Sequence, residues 1–229
     1  MNIHELVELN NQKRKLLTKE KRKYYENMLV YIRLSYRISD LETEETLSEL
    51  LDHLLDAQGE GKTAEEVFGK NPKKYADEII GELPKTVTKE RTLLIGWGIL
   101  FFLAMGMILS GIVDLASHYF FTDDGLMKEF YLGSALLKTA ISIPVAFILL
   151  YSIILYLRWS CFKKINKIAE FFIFWLYGAF SVGLFVIFYL FIPSIGPELE
   201  ISVFIVIMSG IVLFILGTLI KRKVEKGKR

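Results

Sequence analysis

The sequence predicts an all-α fold in which a small cytosolic helical domain is followed by a four-helix transmembrane bundle. Three observations lead there. Four stretches beyond residue 91 run for 19 to 22 residues without an ionised side chain. Charge is segregated, with 34 of the 54 charged residues in 1–91 and only 13 in 92–220. The first third of the chain carries helix caps and apolar residues at helical spacing. Apolar residues make up 52% of the 229, and mean hydropathy is +0.37. A single water-soluble domain would be less apolar and would spread its charge, so that class is excluded, as is general disorder.

Residues 1–38 form an N-terminal basic and aromatic segment. Ile3–Leu9 suits a short helix. Leu16–Ile38 predicts a longer one, with Tyr25, Met28, Leu29, Ile32 and Tyr36 at helical spacing, packed on the following domain or paired with another copy.

Residues 39–84 predict three short helices. Ser39-Asp40-Leu41-Glu42 reads as a capping box, a hydroxyl and a carboxylate three residues apart that each satisfy an end amide. The helix that follows, about Asp40–Gln58, aligns Leu47, Leu50, Leu51, Leu54 and Leu55, and Gly59 and Gly61 end it. Thr63-Ala64-Glu65-Glu66 is a second capping box, opening a helix through Phe68 that Gly69 closes. Asn71-Pro72 suits an N-cap with proline at the first helical position. The third helix runs to about Leu83, where Pro84 stops it, with Tyr75, Ala76, Ile79 and Ile80 facing a core shared with Val67 and Phe68. Residues 85–91 form a linker.

Residues 92–220 hold the spans Thr92–Val113, Thr139–Leu157, Phe171–Ile192 and Ile201–Ile220. About 20 apolar residues cross a hydrocarbon layer, and lipid obliges the backbone to bond to itself, so each is expected as a helix. A soluble core would need a polar face that these runs lack. Pro144 lies inside the second span and removes one backbone donor. Either Gly125–Lys138 is a short interfacial helix, or the second span begins near Phe130 and tilts. Gly106–Ser110 and Ala179–Gly183 are small-residue pairs that permit close helix approach.

Direction follows from the loops. Lys85, Lys89, Arg91, Arg158, Lys163, Lys164, Lys167 and the 221–229 tail place thirteen bases on one side, against Lys128 and Lys138 on the other. The second side holds Asp114, Asp123, Asp124, Glu129, Glu198 and Glu200. The positive-inside rule then puts both termini in the cytoplasm of a multi-pass cell-membrane protein. Trp97, Trp159 and Trp175 near the inner ends, and Tyr119, Tyr131 and Tyr189 near the outer ends, match interfacial anchors. The first long apolar run begins only at Thr92, so no secretory leader is read.

Chemistry is sparse. No catalytic, cofactor-binding or metal-ligating residue is assigned, and the chain is expected not to be an enzyme. Glu49, His53 and Asp56, with Asp52 adjacent, share a helical face of metal-ligand type, but that face is solvated. His4 and His118 have no ligand set nearby. The lone Cys161 excludes an intrachain disulfide and sits in a basic loop that would lower its pKa. Lys138 and Glu170 stand at span edges, where they snorkel to water. Lys13–Lys23 packs seven bases and one acid into eleven residues. That is the composition of a solvated face, of a surface for anionic lipid, or of a contact with nucleic-acid phosphates. Residues 1–91 as a whole carry 16 bases and 18 acids, without the surplus of a nucleic-acid binder.

Leu50-Leu51-Asp52-His53-Leu54-Leu55-Asp56-Ala57-Gln58, then Gly61-Lys62-Thr63-Ala64-Glu65-Glu66-Val67-Phe68-Gly69, Asn71-Pro72 and Tyr75-Ala76-Asp77-Glu78-Ile79 resemble the three-helix HAAS-type signalling domain of Firmicute membrane proteins. With the Tyr24–Arg33 helix and four spans, nearly the whole chain is similar to an uncharacterised Firmicute family defined only as a domain of unknown function. The resemblance implies a bacterial membrane protein with a regulatory partner of the PadR-like class, and it carries over no catalytic residue. The expectation is a non-enzymatic, cofactor-free signalling protein that binds a cytosolic partner, in the bilayer and as a possible homo-oligomer. The alternative is a small transporter or an accessory subunit of one, supported by Pro144, the small-residue pairs and Lys138.

Overall fold

The structure, a computed structural model, describes residues 3–35, 38–85, 88–120 and 126–226. Tyr36, Asp123, Asp124, Lys228 and Arg229 lie outside them, as do the side chains of Lys89, Arg91, Lys223, Glu225 and Lys226. The fold is all-α, with one two-stranded ribbon added. The chain divides into two compact units, one of residues 1–88 and 151–167, the other of 89–150 and 168–229.

The first unit contains α1 (Ile3–Lys13), α2 (Lys19–Arg33), α3 (Asp40–Gly59), α4 (Ala64–Phe68) and α5 (Pro72–Glu82). The leucine stripe of α3 is the centre of its core: Leu47, Leu51 and Leu54 are wholly buried. Tyr25, Met28, Leu29 and Ile32 of α2 close on it, with Phe68 and Ala76 from the far side. Each such aliphatic contributes roughly 1.5–3 kcal/mol. Residues from 1–38 and from 39–84 therefore share one core.

The expected Leu16–Ile38 helix is present but shorter, α2 running from Lys19 to Arg33, and the expected Ile3–Leu9 helix extends to Lys13. A 3-10 turn at Arg14–Leu16 separates α1 from α2, and Leu17 leaves the helical path to become 3% exposed. That turn is held by side chains. The Arg22 guanidinium donates to the carbonyls of Lys15 (2.6 Å) and Leu17 (3.2 Å), while Gln58 accepts from the Thr18 amide (2.8 Å) and donates to the Leu16 carbonyl (3.0 Å).

Caps behave unequally. The Thr63–Glu66 box forms in both directions, and Asn71 accepts from the Lys74 amide with Pro72 behind it. The Ser39–Glu42 box does not form, although α3 starts where expected. The Ser39 amide that Glu42 would accept is donated instead to the Pro84 carbonyl at 3.0 Å, beside a bridge between Ile38 and Lys85. Gly61 (φ 73°) and Gly69 (φ 79°) take the left-handed conformations that end α3 and α4.

The second unit is built from α6 (Thr88–Phe120), β1 (Met127–Tyr131), most of α7 (Leu132–Ser160), α8 (Lys167–Phe191), β2 (Glu198–Ser202) and α9 (Val203–Lys226). Among the described residues, four helices are long and apolar enough to cross a membrane. Their bounds differ from the sequence reading. The first reaches Phe120 rather than Val113, and the second begins at Leu132 rather than Thr139. The fourth begins at Val203, because Ile201 and Ser202 belong to β2. In place of an interfacial helix, Met127–Tyr131 pairs antiparallel with Glu198–Ser202, and the span starts at Leu132, close to the early start near Phe130. Alternation explains the ribbon: Phe130, Leu199 and Ile201 take one face, and Glu129, Tyr131, Glu198 and Glu200 the other. α7 runs on through Pro144.

Candidate functional site

The residues that bring separate parts of the chain together lie at the end of α7. Arg158 is in its last turn, and Cys161 and Phe162 follow it. Both Cys161 and Phe162 pack against the core of the first unit. Tyr31, on α2, is the receiving side chain. Its ring lies 5.1 Å from that of Phe162, and the Arg158 guanidinium stands 4.5 Å above it. The Tyr31 hydroxyl donates to Asp77 Oδ1 at 2.6 Å, and Arg158 Nη2 lies 3.8 Å from the same oxygen. Lys73, one turn before Asp77 on α5, donates to its other oxygen at 2.9 Å.

The electrostatics are those of a clasp. Partial burial would raise the Asp77 carboxyl, but hydrogen bonds from Tyr31 and Lys73 hold it below its usual range. Burial and the Asp77 bond push the Tyr31 phenol up, so it stays protonated and donates. Asp77 remains 42% exposed, so the ion pair contributes at most about 1 kcal/mol, and the cation–π contact a similar amount. Tyr31, Asp77 and Arg158 thus tie α2, α5 and the last turn of α7 together.

A second polar cluster lies in the membrane unit. Lys128 of β1 donates to Asp114 and, at 3.1 Å, to Ser110, which are one turn apart on α6. Ser134 donates to the Pro193 carbonyl at 2.7 Å and accepts from the Ile195 amide at 2.6 Å. Lys138 lies 4.1 Å from the centre of the Tyr189 ring, held by an aromatic face.

Other residues singled out in the sequence are placed as follows. Asp52 binds Lys13 at 2.6 and 2.8 Å. Among the described residues, no three His, Cys, Asp or Glu side chains gather to hold a metal. The Cys161 thiol is pushed up rather than down: burial dominates, and its Sγ donates to the Leu157 carbonyl at 3.2 Å. Gly106 and Gly183 face open space. Close approach occurs elsewhere, where Gly111 meets Ile207, and where a Cβ on Gly210 would stand 2.8 Å from Ile108 and 3.0 Å from the Ala104 carbonyl. The Tyr31–Asp77–Arg158 clasp went unread, because three residues on three separate helices leave no spacing signal.

Over residues 17–226 the chain matches the family described as a protein of unknown function, DUF1129. The chain belongs to that family. No curated protein and no solved structure matches it. The matched region runs from Leu17 into α9, so it takes in both the clasp and all four long apolar helices of this family member.

Proposed function

We propose that this is a non-enzymatic signalling protein of the bacterial cell membrane, whose N-terminal helical unit faces the cytoplasm and binds a cytosolic protein partner. The observation that carries the reading is the clasp: Arg158, Cys161 and Phe162, at the end of a spanning helix, seat on a well-packed helical module through Tyr31 and Asp77. A module that holds a membrane loop in this way is joined to the spans at a second point besides the chain link. Movement of α7 then has a route to the module's surface. The excess of bases on the N-terminal side supports cytoplasmic termini. The likeness of residues 47–83 to HAAS-type domains of Firmicutes supports a PadR-like regulator as the partner class.

The test is photo-crosslinking in native membranes from exposed positions Glu45 and Lys74, with Leu219 on the apolar surface of α9 as control. A soluble protein captured from the first two sites and not the third is the expected result. Identical captures from all three sites, or a reporter on either terminus found outside the cell, overturn it. Transport remains the second reading, supported by the Asp114–Lys128 pair within the membrane unit. Flux in liposomes that disappears in Asp114→Asn would favour it.

A further inference from the structure

The run Lys13–Lys23 looks uniform in sequence and is divided in the structure. Lys13 is bound to Asp52, Arg14 lies 3.8 Å from Glu26, and Arg22 is spent on backbone carbonyls. Lys15, Lys19 and Lys23 are exposed, and among the described residues none of them makes an ion pair. Lys19 and Lys23 are neighbours one turn apart at the start of α2. Next to them in the chain, at the end of the 3-10 turn, Leu16 has 67% of its surface exposed, the highest of any large apolar side chain among the described residues of α1–α5 and their connections. A protruding leucine with exposed lysines on both sides of it along the chain has the composition of a segment that inserts at a headgroup layer and draws anionic lipid.

The bilayer is also the partner always within reach. Only residues 83–91 separate α5 from the first span, at most about 30 Å of chain. The same unit presents Lys163, Lys164 and Lys167, exposed on the connection between two spans.

We infer that the Arg14–Lys23 turn is a membrane-surface anchor, in which Leu16 enters the headgroup region and Lys15, Lys19 and Lys23 bind anionic phospholipid headgroups of the bilayer that the chain itself spans. The inference needs the membrane assignment and not the partner reading. Each base near an anionic surface favours docking by about fivefold, so the three together favour it by about 100-fold.

The experiment uses the full chain in nanodiscs of phosphatidylcholine alone or mixed with phosphatidylglycerol. Amide hydrogen exchange over residues 14–19 is one readout. The other is a polarity-sensitive fluorophore on Leu16→Cys in a Cys161→Ser background, with quenchers in the lipid or in water. With anionic lipid, residues 14–19 should gain protection and the probe should be quenched from the lipid side. Salt at 0.5 M, or the triple variant Lys15→Gln, Lys19→Gln, Lys23→Gln, should abolish both, while exchange in α3 reports an intact fold. Equal behaviour in the two lipids overturns the inference. So does shielding from the aqueous quencher without quenching from lipid, which would indicate a protein or a second copy on this surface.

Discussion

Leu51 of α3 has no exposed surface, whereas Ile148 of α7 is 66% exposed and Leu190 of α8 is 72% exposed. All three are helical residues of the same size. In the first unit an aliphatic side chain stabilises by leaving water, so position within the core decides its worth. In the membrane unit the surroundings are as apolar as the side chain, and removal from them gains little. What fixes that unit is close backbone approach at Gly111 and Gly210, the β1–β2 ribbon, and polar links such as Lys128 to Asp114. A large exposed apolar surface is a defect in one region and a requirement in the other.

That contrast is sharpest for truncation. Leu51→Ala should cost about 3 kcal/mol, while Leu190→Ala should change stability by less than about 0.5 kcal/mol. Hydrogen exchange of α3 and of α8 in the full chain would register both, and equal losses would break the comparison. Next comes the charge pair of the first unit. Arg33 donates twice to Glu44, at 2.7 Å each, and the Glu44 side chain is only 8% exposed. Glu44→Ala should lower thermal stability by about 2 kcal/mol, because it removes two charge-assisted bonds from a mostly buried site.

Among the spans, Gly210→Ile should cost about 1–2 kcal/mol through collision with Ile108 and the Ala104 carbonyl, and Gly183→Ile close to nothing. Disulfide crosslinking between cysteines introduced into α6 and α9 would report the separation. A smaller effect, about 1 kcal/mol, is expected for Thr63→Ala, which removes the hydroxyl half of the formed capping box. It should appear as faster exchange at the start of α4.

The smallest effect in ordinary buffers is alkaline. Burial pushes the Tyr24 phenol up to about 12, and Tyr25 is raised by the same cause. A phenol whose folded pKa exceeds its unfolded value near 10 stabilises fully below pH 10. That contribution is lost as pH rises from 10 towards 12, so the helical signal of the first unit should begin to fall above pH 10. Tyr24→Phe should make that fall shallower, leaving the part due to Tyr25.

Much of this was legible in the residues. Uncharged runs located the spans, because no other structure satisfies such a backbone in lipid. The leucine stripe of α3 located the core, and Thr63, Gly69, Asn71 and Pro72 marked the ends of α4 and α5. These are local effects, settled within a turn or two of helix. Three features were not legible: the unformed Ser39 box, the ribbon and the clasp. Each depends on a group distant in sequence. Pro84 takes the Ser39 amide, Glu198–Ser202 pairs with Met127–Tyr131, and Asp77 and Arg158 meet at Tyr31.

The sequence by itself determined that the chain is helical, where it is apolar enough to cross a bilayer and where most of its helices begin and end, since hydrophobic length and capping act at short range. Only the tertiary structure decided which lysines of the basic run stay free, which glycines bear a helix crossing and where the α7–α8 connection seats, because these are set by partners far along the chain.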